Sequence, residues 1–326
     1  MFNINGEGDL AITTALTERL GIDHPVLCAP MARVSGGKLA AAVSQAGGLG
    51  LIGGGYCDPD WIDTEYAAAG NARIGIGFIT WRLEQFPDVL DRALERQPAA
   101  VMLSFGDEKP FAGKIKAAGA ALIAQVQSLE QAKRAADAGA DIVIAQGGEA
   151  GGHGANRGTF SLVAEVVDTL SDIPVVAAGG IADGRGLAAA LMLGASGVLL
   201  GTRFVATEES LAPEAAKKAV AGESGDITVK GSTFDKARGF DWPAPYALRT
   251  FRNGFAERWE GKELPDSAVA EFEKAAAVAD LEIAPVVAGE ASGIVRDVPS
   301  AADLVPRIAA EAEQKLRGAT AFCSTP

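Results

Sequence analysis

The chain has 326 residues, 48% of them hydrophobic and 40 of them glycine, which is enough apolar material for one large α/β domain or two smaller ones. A formal charge of −13 leaves no basic stripe for a nucleic-acid backbone or an anionic membrane, so neither is expected as a partner. Cys28, Cys57 and Cys323 are far apart and show no Cys-x-x-Cys spacing, so they imply neither a disulfide framework nor a zinc site.

Residues 1–25 read as a lead-in. Met1–Asp9 has no basic n-region and no apolar h-region, so no secretory signal is expected. The longest uncharged stretch, Gly186–Thr202, is interrupted by Gly194, Ser196 and Gly197 and fits a helix followed by a strand better than a membrane span. A cytoplasmic protein is expected. From Val26 onward, short apolar runs alternate with helical patterns. The strands are Val26–Ala29, Leu49–Ile52, Ile74–Ile79, Ala100–Ser104, Ala121–Ala124, Ile142–Ala145, Pro174–Ala178 and Gly197–Leu200. The helices between and after them are Lys38–Gln45, Trp61–Ala69, Phe86–Arg96, Phe111–Ala118, Ser128–Ala138 with Ser128 as N-cap, Ser161–Leu170, Arg185–Leu193 and Ala212–Ala221. Cys28, inside the first strand, reads as a small buried hydrophobe.

Continuous rather than alternating apolar strands mean burial on both faces, and alternating β and α units mean a parallel sheet. Eight such units predict an α/β fold, a (β/α)8 TIM barrel over residues 26–221. The competing doubly wound sheet lacks its usual Gly-x-Gly-x-x-Gly turn after the first strand. After about Thr207 the rhythm breaks. Residues 222–302 read as an inserted, mostly helical subdomain over the substrate, with Gly222–Gly239 as a loop, aromatics and arginines mixed in Trp242–Asn253, a helix at Ser267–Ala279, and a loop at Pro285–Gly293 that packs back. Residues 303–326 read as a closing helix, Asp303–Arg317, and a frayed tail from Thr320 to Pro326.

In such barrels the C-terminal strand ends build the site, and the last two loops often hold a phosphate. Gly179, Gly180 and Gly201 follow the last two strands and would bring backbone N–H groups to an anion, aided by the N-terminus of the helix starting near Arg185. Asp183, Arg185 and Arg203 leave this stretch at +1 in an acidic chain, which favours an anion, although glycines also simply close strand-helix turns. Ala29-Pro30-Met31-Ala32 ends the first strand; the N–H groups of Met31 and Ala32 could meet a planar heteroaromatic ring, or the segment is an ordinary turn with Met as core filler. Gln125 and Gln146 end the fifth and sixth strands and place amides at the mouth. Four glycines crowd around His153 in Gln146-Gly-Gly-Glu-Ala-Gly-Gly-His153-Gly154, which makes this imidazole the best candidate for a general acid or base. No cluster offers a metal site.

Ala29-Pro-Met-Ala32 with Ala40–Leu49, the Gln146–Gly154 loop, Ala178-Gly-Gly-Ile-Ala-Asp-Gly-Arg185 and Gly201-Thr-Arg-Phe204 together resemble the nitronate monooxygenases, formerly 2-nitropropane dioxygenases. The resemblance covers Leu20 to about Thr207 and continues more loosely to Arg317. It implies a flavoprotein oxidoreductase with non-covalent FMN held by Ala29, Pro30, Met31, Ala32, Gln125, Gln146, Gly151, Gly179, Gly180, Leu200, Gly201 and Thr202, and with His153 as the active-site histidine. It further implies oxidation of an alkyl nitronate, such as propionate 3-nitronate, with O2 to a carbonyl compound and nitrite. The alternative on the same scaffold is NAD(P)H-dependent reduction of quinones or enoyl thioesters through FMN, and a homodimer stays open. Many relatives carry Asn at the end of the third strand, where this chain has Gly77; that change bears on the substrate more than on the cofactor.

Overall fold

The computed structural model describes residues 12–322, so the readings of Met1–Asp9, Cys323 and the end of the tail lie outside the described residues. Eight parallel strands close into a barrel. They are β1 (Val26–Cys28), β2 (Leu49–Gly55), β3 (Gly75–Ile79), β4 (Ala100–Ser104), β5 (Ala121–Val126), β6 (Ile142–Gln146), and, after a short outlying β7 (Gly152–Gly154), β8 (Val175–Ala178) and β9 (Gly197–Leu200). Closure is made where Leu27 pairs with Leu49 on one side and Leu199 on the other. The chain forms the (β/α)8 barrel its alternating pattern predicts.

Side chains alternate across each strand. Leu27, Leu49, Leu51, Met102, Ile123, Ile144, Val176 and Leu199 fill the interior, while Val26, Cys28, Ile52, Ile76, Val143 and Leu200 face the helices. Both sets are buried, which is why the strands read as continuous apolar runs. Cys28 is fully buried, and desolvation pushes its thiol up to about 12. A short helix in the lead-in, Ala15–Leu20, sets Leu16 and Leu20 into the interior cluster. Among the described residues no helix is long and apolar enough to cross a membrane.

Three local expectations change. The Phe86–Arg96 helix is shorter, Asp88–Leu94, beginning after Pro87, and a separate short helix, Thr80–Leu83, precedes it. The eighth helix of the ring is not the segment near Ala212–Ala221 but Ala301–Gly318, whose Leu304, Val305, Ile308 and Ala312 share the outer barrel core. It packs on the helices Gly184–Met192 and Gly37–Gln45. At Gly184 an added Cβ would lie 2.3 Å from Glu311 Cβ, so close approach there requires glycine. Helix Glu214–Gly222 instead packs Ala216 and Val220 against Val286, Ala288, Ala291 and Val295 of the covering segment. Finally, Gly222–Gly239 is not a plain loop: it contains β10 (Thr228–Gly231) and a helix, Thr233–Ala237. With β11 (Ala247–Phe251) and β7, β10 forms a three-stranded antiparallel sheet over the barrel mouth, in the order β10-β11-β7.

Candidate active site

The mouth is shaped by side chains that are missing. An added Cβ at Gly53 would lie 2.2 Å from the Met31 carbonyl oxygen, and one at Gly77 would lie 2.2 Å from Pro30 Cγ. Ala29–Ala32 therefore lies across the ends of β2 and β3, with the Pro30 ring in the space a side chain at position 77 would need. The Met31 N–H does not face a ligand as expected, because it donates to the Ala29 carbonyl at 2.9 Å. The Ala32 N–H has no partner among the described residues.

Two adjoining cavities of about 200 and 70 Å³ open above this floor and share Ala29, Gln125, Gln146, Gly151, Gly201 and Thr202. Together they make one elongated cleft. Its narrow end is lined by Gly179 and Gly180, whose φ values of 99° and 73° are in the left-handed region, accessible to glycine at little cost. The N–H groups of Gly179, Gly180 and Thr202 donate to no group among the described residues. The Thr202 hydroxyl oxygen accepts from the Gly289 N–H at 2.9 Å, leaving its hydrogen free to donate. These donors suit a terminal phosphate.

The other anion-attracting features expected from the sequence are engaged elsewhere. The N-terminus of helix Gly184–Met192 is capped by Asp183, which accepts from the N–H groups of Arg185 and Gly186, while Glu311 accepts from that of Gly184. Arg185 pairs with Asp183 at 2.6 Å, and the buried Arg203 turns away to Asp297 at 2.9 Å. An anion placed here would meet main-chain dipoles and not the local charge of +1. Glu149 also lines this end, its carboxylate engaged by the Thr159 N–H and hydroxyl. Leu200 does not line the cleft, because strand alternation turns its side chain outward; Leu199 lines it. Gly151 lines both cavities, and an added Cβ there would lie 2.6 Å from the Ala288 and Gly289 backbone of the loop that packs back.

Gln125 and Gln146 are buried at the mouth and joined by a hydrogen bond of 3.2 Å. Gln127, unnoticed in the sequence, donates to the same Gln146 oxygen at 2.8 Å, and Gln146 donates to the His153 carbonyl at 3.1 Å. The Gln127 amide oxygen is buried without a partner, an acceptor with unused capacity beside the cleft.

His153 sits on β7, not in a free loop, and Leu248 of β11 is its cross-strand partner. Its Nε2 lies 2.9 Å from Asp235 Oδ2, and the two side chains are 9% and 3% exposed. Asp235, on helix Thr233–Ala237, also accepts from Arg238 Nη2 at 3.0 Å. Burial lowers the His153 pKa below 6.5; Asp235 opposes that shift and Arg238 adds to it. A neutral imidazole against a carboxylate donates through Nε2–H, which leaves Nδ1 as the basic nitrogen. The Trp242 ring stacks on the imidazole with centroids 3.4 Å apart and 9° between planes, and the Trp242 N–H donates to the Tyr56 hydroxyl at 3.3 Å. Phe105 and Tyr246 pack edge-on around it.

The matched set is thus His153, Gln125, Gln146, Ala29–Ala32, Gly151, Gly179, Gly180, Gly201 and Thr202 around one cleft. Sequence reasoning missed Asp235, Arg238 and Gln127; for Asp235 and Arg238, more than eighty residues from the histidine, no local pattern marks the contact. The profile of the family described as nitronate monooxygenase matches residues 13–72 and 64–311. A nitronate monooxygenase of Neurospora crassa is 32% identical over 346 residues, 92% of each chain. A (3aS,4S,5R,7aS)-5-hydroxy-7a-methyl-1-oxo-octahydro-1H-indene-4-carboxyl-CoA dehydrogenase of Rhodococcus jostii is 39% identical over 209 residues, 63% of this chain and 59% of that one. Among solved structures, FabK from Thermotoga maritima superposes with a TM-score of 0.84 at 31% identity, covering 95% of this chain and 99% of that one. The chain therefore belongs to the nitronate monooxygenase family of flavin-dependent oxidoreductases.

Proposed function

We propose that the protein binds FMN and oxidises alkyl nitronates, such as propionate 3-nitronate, with O2 to a carbonyl compound and nitrite. One observation carries the reading: an imidazole, held by a buried carboxylate, lines a cleft whose far end is a cradle of main-chain N–H groups without partners among the described residues. The cradle offers a single cluster of donors at the narrow end of the cleft, which suits the one phosphate of a mononucleotide. When bound, the flavin supplies the electron acceptor. Gly179, Gly180 and Thr202 would hold its phosphate, while Ala32, Gln125 and Gln146 would meet its ring edge. His153 Nδ1 takes the α-proton when the substrate arrives as the neutral nitroalkane, and Asp235 keeps the imidazole in the tautomer that makes this possible. Trp242, Phe105 and Tyr56 wall the site from water.

The test is a steady-state assay of the FMN-loaded protein with propionate 3-nitronate and O2. Nitrite release is expected, and its absence sinks the reading. A second reading has its own support, because the Rhodococcus relative is named as a dehydrogenase of a carboxyl-CoA. It is NAD(P)H-dependent reduction, through FMN, of quinones or enoyl thioesters. Prompt bleaching of the flavin on anaerobic mixing with NADH or NADPH favours it, and an unchanged spectrum counts against it.

A further inference from the structure

Of the residues lining the larger cavity, Arg238 alone carries a full positive charge. Two of its nitrogens are committed: Nε donates to the Phe234 carbonyl at 3.0 Å and Nη2 to Asp235 Oδ1 at 3.0 Å. Nη1 has no partner among the described residues, and the side chain is 28% exposed. Asp235 is engaged at both oxygens, by Arg238 on one and His153 on the other. The guanidinium and the imidazole are thus fixed by one buried carboxylate and line the same cavity. A guanidinium locked at two nitrogens has already lost most of its rotamer freedom, so little is left to lose when the third meets an oxyanion.

The charges decide what that third nitrogen does. Asp235 and Arg238 cancel, His153 is neutral in its buried place, and the only other charged residue lining the cleft is Glu149, at the far end. An anionic substrate arriving beside His153 finds no other cation. We propose that Arg238 determines specificity for an anionic substrate, binding the planar oxyanion of a nitronate through Nη1. This rests on the nitronate reading and names the group that recognises the charge.

The test uses butyrate, a non-reacting planar oxyanion, and butyramide, its neutral counterpart, titrated by calorimetry into the FMN-loaded protein. For Arg238→Gln, butyrate binding is expected to weaken about 10-fold or more, the scale of a lost hydrogen bond to a charged group, with butyramide binding unchanged. Arg238→Lys, which keeps the charge, is expected to recover much of the loss. In turnover, the KM for ethyl nitronate should rise in Arg238→Gln with little change in kcat, the mark of lost ground-state binding. Butyrate bound equally well by wild type and Arg238→Gln overturns the proposal, as does a wild type that does not bind butyrate. So does a loss of butyramide binding as large as that of butyrate, which would mean that the cleft had merely deformed. Arg238-dependent butyrate binding without nitrite release would refute the nitronate reaction and leave Arg238 as the anion site. Nitrite release with Arg238-independent binding would do the reverse.

Discussion

At the scale of single residues, the site turns on the protonation of one buried imidazole. His153 is a base only when neutral, and burial favours that form. With a neutral nitroalkane as substrate, activity should therefore be present above its depressed pKa and fall as the pH drops through it. Asp235 works against burial by stabilising the charged form. Asp235→Asn should thus shift the acid limb of the kcat/KM profile to still lower pH, while lowering the plateau because the tautomer is no longer held. An acid limb that moves upward would refute this assignment. His153→Asn should retain flavin, read from the visible spectrum, and lose about 10²-fold or more in turnover of a neutral nitroalkane, the usual scale for a missing acid-base group. Gly77 makes a different point. Gly77→Asn should not add a useful amide, because its Cβ would overlap Pro30. It should destabilise by about 1–3 kcal/mol, as overpacking does, and thermal unfolding will show it as a lowered midpoint.

At the scale of elements, two kinds of glycine do different jobs. Gly53 and Gly77 leave room for the Ala29–Ala32 segment to lie across the strand ends, whereas Gly179 and Gly180 turn their N–H groups by adopting positive φ. Gly179→Ala combines the backbone strain at φ 99° with a Cβ 2.9 Å from the Gly147 carbonyl oxygen. It should cost on the order of 1–3 kcal/mol and weaken FMN binding, measured by flavin fluorescence on titration; unchanged affinity would remove this turn from the cofactor site. The β10-β11-β7 sheet supplies the other half of the geometry. Pairing of His153 with Leu248 fixes the height of the imidazole over the mouth, and the segment between Asp235 and β11 carries Arg238 and Trp242 to it.

At the scale of the molecule, the ring of helices is completed by the C-terminal helix, Ala301–Gly318, after a long excursion over the mouth. Asp297 ties that return to the barrel by pairing with the buried Arg203, which follows β9, and with Arg307 on the closing helix. Asp297→Ala removes a half-exposed carboxylate from the buried Arg203, which keeps its hydrogen bonds to the backbone carbonyls of residues 297 and 206, and should cost about 1 kcal/mol, seen in urea unfolding. Arg307 first, and Arg203 with it, hold the Asp297 carboxyl below its ordinary 3.8. Its contribution is therefore fully present above that value and is lost as the pH falls through the depressed pKa. The wild-type stability advantage over Asp297→Ala should shrink in that acid window.

Much of this architecture was legible in the residues themselves. Eight doubly buried strands need continuous apolar runs, and Gly179-Gly180, Gln125 and Gln146 stand at or next to barrel-strand ends with His153 a few residues beyond Gln146, so chain-local patterns place them all at one mouth. The eighth helix was misassigned because Ala212–Ala221 and Ala301–Gly318 are both amphipathic, and an apolar stripe does not reveal which surface it will cover. The pairing of His153 with Asp235, the free nitrogen of Arg238 and the turning away of Arg203 to Asp297 are contacts between residues distant in sequence. No local periodicity encodes them; they follow only once the barrel has closed and the covering sheet has settled on its mouth.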